Sequence, residues 1–454
     1  MTLTHDDLRQ LSARGIGEAE ALRQLALLAS PPPAMRLLRP CTVGDGVLRL
    51  DAARQAGLER RGAGCLERVR TAKFVPASGA ASRMFKDLLE ALQQDGLPAG
   101  AAATVLERAQ HFAFEPLWLA ASGARDAKAF AMLLAKGEWR RVLESLLFAP
   151  GMDYSRLPKA YVEFHRVAGR PRTAFESHWR EAAALDLKRL HFTLSPEHVD
   201  GYLALVAVLG PLLQSEGLPP MQLGYSFQDP ATDTLAGDGQ GGPFRDAAGA
   251  LVLRPGGHGS LLKNLQDLAR DVDVAVLKNI DNIAHPRLWP EQLRWKRILV
   301  GLLDETCGGD WDRPVRVAGV VRNTGEPGGG PFWVQDHGSE SPQIVESAQV
   351  DLADPGQAAI FRGATHFNPV DLVCRLTDPD GVPFELERYL DPAAVFVAKK
   401  SHLGRPLVAL ERPGLWNGAM ARWKTVFVEV PLGTFNPVKT VLDLLKDAHQ
   451  EGGL

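Results

Sequence analysis

Residues 74–86 read FVPASGAASRMFK, an apolar run followed by small residues and then by two cations, Arg83 and Lys86. The pattern predicts a strand that enters a loop of small residues and then a helix. Small side chains let backbone N–H groups approach a phosphate closely, and a helix N-terminus favours negative charge. The stretch therefore predicts a phosphate-binding loop, although a turn whose residues are small for packing alone has the same pattern. It is not a Walker A loop, because the Gly-Lys-Ser/Thr ending is missing.

From residue 71 onward, β-rich runs alternate with amphipathic helical segments, which is typical of a parallel α/β sheet. A helical insertion is expected at about 97–149, and the first sixty or so residues show helical patterns without a strand pattern. We expect strands at 73–76, 189–194, 222–227, 272–279, 315–321, 343–350 and 425–430.

The length of 454 residues predicts two or three domains at roughly 150 residues each. We expect a helical extension over 1–68, an α/β core over 69–310, and a part over 311–454 that is richer in Gly and Pro.

The chain has 51 lysines and arginines against 54 aspartates and glutamates. The resulting net charge of -3 argues against a broad nucleic-acid surface. The four cysteines form no CxxC pair, so neither a zinc site nor a disulfide framework is indicated. A cytoplasmic protein with no signal peptide and no membrane span is expected, and the sequence leaves the oligomeric state open.

Three further motifs before residue 300 carry candidate ligand groups. Lys159 follows a proline, where a point charge suits a phosphate, although a solvated lysine is the commoner explanation. Residues 255–259 read PGGHG, which indicates either special backbone conformations or a ligand against the main chain. The apolar run 274–277 is followed by NIDN at 279–282, and ligands on open α/β sheets lie at the carboxyl ends of strands. Asp281 is therefore a candidate Mg²⁺ ligand.

The C-terminal part has polar groups among apolar or glycine neighbours. Glu326 lies in the Gly/Pro-rich loop 325–332, Glu346 interrupts an apolar run, and Asn368 and Lys439 lie among apolar neighbours in 365–368 and 435–439. The sequence has no GxGxxG after a strand, no GxSxG, no HExxH and no kinase motif set. A hydrolase with a covalent nucleophile is therefore not supported.

Taken in order, 74–86, 158–159, 255–259, 279–282 and 435–439 resemble the motifs of UDP-sugar pyrophosphorylases. Across nearly the whole chain, the sequence is more closely similar to the bacterial family called domain of unknown function 4301, itself similar to nucleotide-diphospho-sugar transferases. The resemblance implies a GT-A-like, Rossmann-type nucleotidyltransferase core, with residues 311–454 completing the sugar-phosphate side of the site. Two departures leave the nucleotide open: the loop lacks the Gly-x-Gly-Thr-Arg wording, and Ser260 stands where many UDP-sugar pyrophosphorylases have Asp.

The resemblance also implies roles for individual residues. The catalytic cations facing the phosphates are Arg83, Lys86, Lys159 and Lys439. The nucleotide-binding residues are Ser78, Gly79, Ala80, Gln228, Gly256, Gly257, His258 and Gly259. The sugar-phosphate residues are Glu326, Glu346 and Asn368, and the metal ligand is Asp281.

The leading hypothesis is a Mg²⁺-dependent enzyme that joins a nucleoside triphosphate, UTP for preference, to a sugar 1-phosphate and releases pyrophosphate. One alternative is a GT-A-type glycosyltransferase that consumes a nucleotide sugar, for which Asp229 and Asp233 are the nearest candidates for a second metal-binding carboxylate. The other is a protein that binds a nucleotide sugar without catalysis. In the leading hypothesis Arg83 and Asp281 are both expected outside the core.

Overall fold

The computed structural model describes residues 3–309, 311–326, 328–336 and 339–452. Its helices are α1 His5–Ala13, α2 Glu18–Ala29, α3 Ala52–Arg68, α4 Lys86–Gln93, α5 Gly100–Glu107, α6 Glu115–Ser122, α7 Ala127–Ala135, α8 Trp139–Leu147, α9 Ala174–Ala184, α10 Val199–Ser215, α11 Leu261–Leu268, α12 Trp289–Thr306 and α13 Pro355–Arg362. Its strands are β1 Leu37–Pro40, β2 Thr42–Val43, β3 Gly46–Leu48, β4 Thr71–Pro76, β5 Glu163–Val167, β6 Arg170–Thr173, β7 Arg189–Leu194, β8 Gln222–Phe227, β9 Thr234–Gly237, β10 Leu253–Arg254, β11 Val274–Leu277, β12 Val315–Arg322, β13 Gly329–Asp336, β14 Ser339–Glu346, β15 His366–Arg375, β16 Phe396–His402, β17 Arg405–Glu411 and β18 Lys424–Glu429.

The chain forms a mixed α/β fold with two compact units, each assembled from three stretches of sequence. Unit 1 contains Met1–Ala72, Ser226–Leu277 and Lys296–Leu432. Unit 2 contains Lys73–Tyr225, Lys278–Trp295 and Gly433–Leu454. The predicted division of the sequence after residues 68 and 310 stays a prediction.

Unit 1 is built on a parallel-rich sheet with strand order β2-β3-β18-β12-β15-β11. The pairs β2/β3, β3/β18 and β18/β12 are parallel, whereas β15 runs antiparallel to both β12 and β11. All four residues of β11 and the first seven of β12 are buried, as expected for strands covered on both faces. Helices α3 and α12 touch closely at Gly62, where a Cβ atom would lie 1.8 Å from the Arg297 carbonyl oxygen. Two smaller sheets complete the unit, with orders β1-β13-β14 and β10-β9-β17-β16.

Unit 2 is built on strands β4, β7 and β8, which are hydrogen-bonded in that order. Ala77, just after β4, donates to Thr193 near the end of β7, and Gln222 at the start of β8 donates to Lys188 just before β7. The strands are therefore parallel, joined by helices as in other α/β units. Helix α9 begins at the N-cap Thr173, and its residues from Ala174 to Ala183 are buried.

The helical insertion and the C-terminal segment complete unit 2. Helices α5 to α8 occupy the predicted insertion, and Trp118 of α6 is fully buried and donates from its indole N–H to the carbonyl of Val142. In the last stretch, His449 stacks on His165 with ring centroids 5.4 Å apart. The C-terminal segment is therefore held by buried contacts within this unit.

Most predicted strands are confirmed. The predictions at 189–194 and 222–227 match β7 and β8 residue for residue, and β4, β11, β12 and β18 lie at predicted positions with ends shifted by one or two residues.

Three predictions of local structure are wrong in whole or in part. Strands β1 to β3 lie within the first sixty residues, where no strand was expected. They are only two to four residues long, and β1 and β3 pair with the distant strands β13 and β18. The predicted strand at 343–350 lies earlier, at β14, since Ser347–Gln349 form a 3-10 turn. The predicted loop 325–332 gives way at Gly329 to β13.

Candidate functional site

A carboxylate and two lysines meet in unit 2. Asp281 Oδ2 lies 3.0 Å from Lys439 Nζ and 3.4 Å from Lys159 Nζ. Lys159 Nζ also donates to the Val438 carbonyl oxygen at 2.8 Å. The side chains of Asp281 and Lys159 are only 11% and 13% exposed, whereas that of Lys439 is 63% exposed. We call Asp281, Lys159 and Lys439 the carboxylate–lysine centre.

The backbone holds Asp281 against the segment that carries Lys439. Val438 donates its N–H to the Asp281 carbonyl oxygen at 2.9 Å, and Asn282 forms a β-bridge with Pro437. The Asn282 side-chain oxygen accepts from the N–H of Asn436 at 2.8 Å. Two predicted motifs separated by more than 150 positions are thus joined by main-chain contacts, which fixes the two charged side chains side by side.

The small-residue loop lies against the segment that carries Lys159. Ala80 forms a β-bridge with Pro158, and the N–H of Ala81 donates to the Leu157 carbonyl oxygen at 2.8 Å. The N–H of Lys159 donates to Gly79 at 3.4 Å. The loop residues Ser78 to Ala80 are partly or fully exposed. The structure therefore brings this loop, Lys159, Asp281 and Lys439 together within one unit.

The predicted succession of strand, loop and helix over 74–86 is confirmed, with a 3-10 turn at Ala81–Arg83 before α4. Arg83 is exposed and makes no hydrogen bond or ion pair with any other residue that the structure describes. Lys86 is also exposed, and its Nζ lies 3.5 Å from Glu90. Arg83 is thus available to an anion in solution, whereas Lys86 already has a partner on its own helix.

The centre carries more positive than negative charge. Burial lowers the pKa of Lys159, the neighbouring Lys439 lowers it further, and Asp281 acts in the opposite direction. Asp281 is 8% exposed, so the expectation that it lies outside the core is wrong. A partly buried centre with two amines on one carboxylate is suited to an incoming anion.

The same carboxylate has an oxygen atom that could bind a magnesium ion. Asp281 Oδ1 is buried and has no hydrogen-bond partner among the described residues. Mg²⁺ is commonly held by one or two carboxylates together with phosphate oxygens and water. No group of three His, Cys, Asp or Glu side chains suited to a metal occurs in the described ranges.

The predicted sugar-facing residues lie in unit 1, and two of them are in contact. Asn368 Nδ2 donates to Glu346 Oε1 at 2.9 Å, and the Glu346 side chain also accepts from the backbone N–H of Gln349. Glu326 is exposed on the neighbouring loop, and Pro327 lies outside the described residues. The structure thus pairs Glu346 with Asn368 but gives Glu326 no comparable contact with that pair.

The predicted nucleotide loop also lies in unit 1. Gly257 has a φ of +78°, which favours glycine, and a Cβ atom at Gly259 would lie 2.0 Å from the Pro413 carbonyl oxygen. A Cβ atom at Gly256 would lie 2.6 Å from the Thr232 carbonyl oxygen. Backbone conformation and packing therefore account for these glycines without a ligand. His258 is exposed at the start of a 3-10 turn.

Gln228, the predicted base contact, donates from its amide nitrogen to Asp233 Oδ1 at 3.3 Å in the same unit.

Sequence analysis missed a buried charge cluster in unit 2. Lys73 Nζ lies 2.5 Å from one Glu181 oxygen, Lys278 Nζ lies 3.1 Å from the other, and all three side chains are fully buried. A lysine inside each of two apolar strand patterns was the available signal, since a buried lysine needs an acidic partner.

Comparison with known proteins places this chain in a family. The family described as domain of unknown function (DUF4301) matches residues 4–308 and 308–450. The chain belongs to the DUF4301 family. No curated protein matches the sequence.

Two examples represent the solved structures that share the fold of this DUF4301 protein. One is a variant of UDP-glucose pyrophosphorylase from Leishmania major in complex with UDP-glucose, with a TM-score of 0.52 and 15% identity, covering 98% of this chain and 79% of that one. The other is uridine diphosphate N-acetylglucosamine pyrophosphorylase from Trypanosoma brucei in complex with an inhibitor, with a TM-score of 0.51 and 14% identity, covering 94% and 74%. At these identities the likeness establishes the fold. Among the described residues, no helix has the length and apolar character needed to cross a bilayer.

Proposed function

We propose that this DUF4301 protein is a nucleotidyltransferase that joins a nucleoside triphosphate to a sugar 1-phosphate and releases pyrophosphate. The observation that carries the proposal is the carboxylate–lysine centre beside a loop of small residues. The fold shared with a UDP-glucose and a UDP-N-acetylglucosamine pyrophosphorylase supports a GT-A-like core and favours UTP as the nucleotide.

The proposed reaction needs electrostatic stabilisation rather than a protein nucleophile. An oxygen of the sugar phosphate attacks the α-phosphorus in line, the bond from that phosphorus to the bridging oxygen breaks, and pyrophosphate leaves with the bond's electron pair. The attacking phosphate oxygen carries no proton, so the step requires no general base. This agrees with the absence of hydrolase motifs from the sequence.

The lysines of the centre neutralise the phosphates in this mechanism. Lys159 and Lys439 share Asp281 as a partner in the free protein, so each can turn a donor toward a phosphate oxygen while the other keeps the carboxylate satisfied. Arg83, which is exposed and without a partner in the described ranges, adds a third cation. Backbone N–H groups of residues 78–80 bind phosphate oxygens.

Asp281 is the residue that would hold a metal ion. Its Oδ1 atom would bind Mg²⁺, which when bound would supply charge neutralisation on the triphosphate. In unit 1, the Asn368 amide donates to the Glu346 carboxylate, and the role of these two residues toward a sugar stays a prediction from the resemblance.

The two candidate carboxylates for a glycosyltransferase both form ion pairs. Asp229 is ion-paired with Lys263, and Asp233 lies 2.8 Å from Arg14. Each of these two carboxylates therefore has a cationic partner in the free protein, and sugar transfer is distinguished by its product, a nucleoside diphosphate instead of pyrophosphate.

The test is pyrophosphate release by the purified protein with Mg²⁺, over four nucleoside triphosphates and a panel of sugar 1-phosphates. We expect release that requires one particular pair, and we expect Asp281→Asn to lower it by about 10²–10³-fold. Asp95→Asn, which changes an exposed carboxylate of the same unit, is the matched control and should be active. A grid without release, from a protein that still gains thermal stability with a nucleotide sugar, would contradict the proposal and favour binding without catalysis.

A further inference from the structure

The buried charges of unit 2 lie close in sequence to two parts of the candidate site. Lys73 and Lys278 bind opposite oxygens of the Glu181 carboxylate, and we call these three residues the buried ionic cluster. Lys73 comes shortly before the small-residue loop 78–80, and Lys278 comes shortly before Asp281. Helix α9, which carries Glu181, is therefore bound to the segment that leads into the loop and to the segment that leads into Asp281.

Stability alone does not account for charged residues at these three positions. All three side chains are fully buried. Replacement of a buried ionic group by apolar residues of similar volume is often neutral or stabilising, because no charge then has to be removed from water. The buried ionic cluster therefore calls for a second explanation.

Helix α9 also contacts the residue that precedes Asp281. His178 Nε2 lies 3.1 Å from the Ile280 carbonyl oxygen, and the carbonyl of His178 itself accepts from Lys73 Nζ at 3.1 Å. The other ring nitrogen, Nδ1, is buried and has no hydrogen-bond partner among the described residues. A buried ring that leaves one nitrogen unsatisfied is costly, so the bond to Ile280 is the contact that a polar side chain provides here.

The His178 ring is a neutral donor. Burial lowers the pKa of His178 well below its usual range, and the neighbouring Lys73 lowers it further, whereas Glu181 acts in the opposite direction. The neutral ring carries one N–H. Since a carbonyl oxygen can only accept, this N–H is on Nε2 and points at Ile280.

The main chain at Asp281 is held on both sides. The Ile280 carbonyl and the Asp281 N–H belong to one planar peptide group, so a hydrogen bond to that carbonyl sets the orientation of the group. The Asp281 carbonyl accepts from the N–H of Val438 at 2.9 Å. His178 and Val438 together fix the direction in which the Asp281 side chain leaves the main chain.

We propose that His178 is a positioning residue for Asp281, and that the buried ionic cluster holds helix α9 where this contact forms. The Asp281 carboxylate is thereby kept beside both Lys159 and Lys439. The use of this placement in catalysis rests on the proposed function. The placement itself does not, and it is measured separately.

The experiment is hydrogen exchange of the full chain without substrates, followed by mass spectrometry on peptides that cover 279–284 and 435–440. The second peptide reports directly, because it contains the Val438 N–H that donates to Asp281. We expect His178→Leu, which removes the donor, to accelerate exchange in both peptides by at least about fivefold. The amide of His178→Gln can still donate to Ile280 and should keep exchange within about twofold of the wild type.

Two results would overturn the positioning role. Equal exchange in His178→Leu and the wild type would show that the hydrogen bond does not hold this segment. Acceleration of the same size in both His178 variants would show that lost packing is responsible. Glu176→Gln is the matched control, because Glu176 is a buried carboxylate of the same helix that pairs with Arg170 and Arg180. It should destabilise the protein without a selective change in the two peptides.

The role of the buried ionic cluster is tested by the triple change Lys73→Met, Glu181→Leu and Lys278→Met. We expect a urea midpoint at or above that of the wild type, together with exchange in 279–284 that is at least about fivefold faster. A lower midpoint, or a chain that does not fold, would show that the cluster serves stability and would overturn its positioning role.

The consequence for catalysis is read from pyrophosphate release. His178→Leu should lower kcat by about tenfold or more and leave the KM of both substrates within about twofold, and His178→Gln should restore kcat. Accelerated exchange with an unaltered kcat would refute the link to catalysis alone. Accelerated exchange in a protein that releases no pyrophosphate with any substrate pair would refute the proposed function alone.

Discussion

Replacement of Lys159 by methionine tests whether this lysine serves ligand binding or the stability of the folded protein. The Lys159 amine is mostly buried, and its pKa is lowered chiefly by that burial. Asp281 has a second partner, because Lys439 lies 3.0 Å from the same oxygen. Methionine has a similar length and no charge, so Lys159→Met removes the desolvated amine and leaves Asp281 paired.

The expected change in the free energy of unfolding is small because opposing contributions nearly cancel. The loss includes the charge-assisted hydrogen bond to Val438 at 2.8 Å, about 1.5 kcal/mol, and part of the attraction to Asp281 at 3.4 Å. The gain is the removal of a buried charge, and apolar replacement of buried ions is often neutral or stabilising by about 1–4 kcal/mol. We therefore expect a stability within about 1 kcal/mol of the wild type. The same change should lower kcat/KM by about 10²–10³-fold.

Urea denaturation followed by tryptophan fluorescence measures the stability, and pyrophosphate release measures the activity. Lys439→Met is the matched control for stability, since its side chain is largely exposed and its removal should cost less than about 1 kcal/mol. Loss of more than about 2 kcal/mol in Lys159→Met, with activity retained, would show that the lysine serves to hold Asp281 and would refute the reasoning.

Three further outcomes follow from the described contacts. Arg83→Ala should lower turnover by about 10²–10³-fold without changing the melting temperature, because the side chain is exposed; a near-normal rate would remove Arg83 from the mechanism. The pKa of Lys159 is lowered, so this lysine loses its proton at a lower pH than an ordinary lysine, and kcat/KM should start to fall below the usual lysine range as the pH rises. Lys159→Arg should move this alkaline decrease of kcat/KM to higher pH. An unmoved decrease would exclude Lys159 as its source. Glu181→Gln should destabilise unit 2 by about 3–5 kcal/mol in thermal denaturation, because Lys73 and Lys278 lose the charge of the acidic group that they share in a fully buried setting, and a second change of Lys73→Met should restore part of the loss.

The sequence predicted those strands that have a strand pattern within their own residues. The run 189–194 alternates, with Leu190, Phe192 and Leu194 on one face of the strand and more polar residues on the other, and its bounds were predicted without error. Strand β2 has two residues, Thr42 and Val43, and its existence depends on pairing with β3, which no local pattern reveals. The predicted strand through residue 350 stops at Glu346 because Glu346 and Gln349 cap each other across a 3-10 turn.

For the candidate site too, some features could be predicted from the sequence and others could not. Residues that stand at strand ends or beside small residues, such as Asp281 and Lys159, could be selected from the sequence, although their roles stay predictions. Their meeting could not be predicted, because it depends on main-chain contacts such as Val438 to Asp281 between remote segments. Burial of Asp281 was missed for the same reason: the segment that covers it is distant in sequence.

The origin of the carboxylate–lysine centre in three remote stretches sets when it can appear during translation. Lys159 precedes Asp281 by 122 positions, and Lys439 follows Asp281 by 158. A nascent chain that has reached residue 430 contains β1 to β18 but still lacks the segment whose main chain binds Asp281 and Asn282. Products of premature termination before that segment therefore carry the sequences of β1 to β18 and yet hold no complete centre, so synthesis through Lys439 is a condition for gathering its charges.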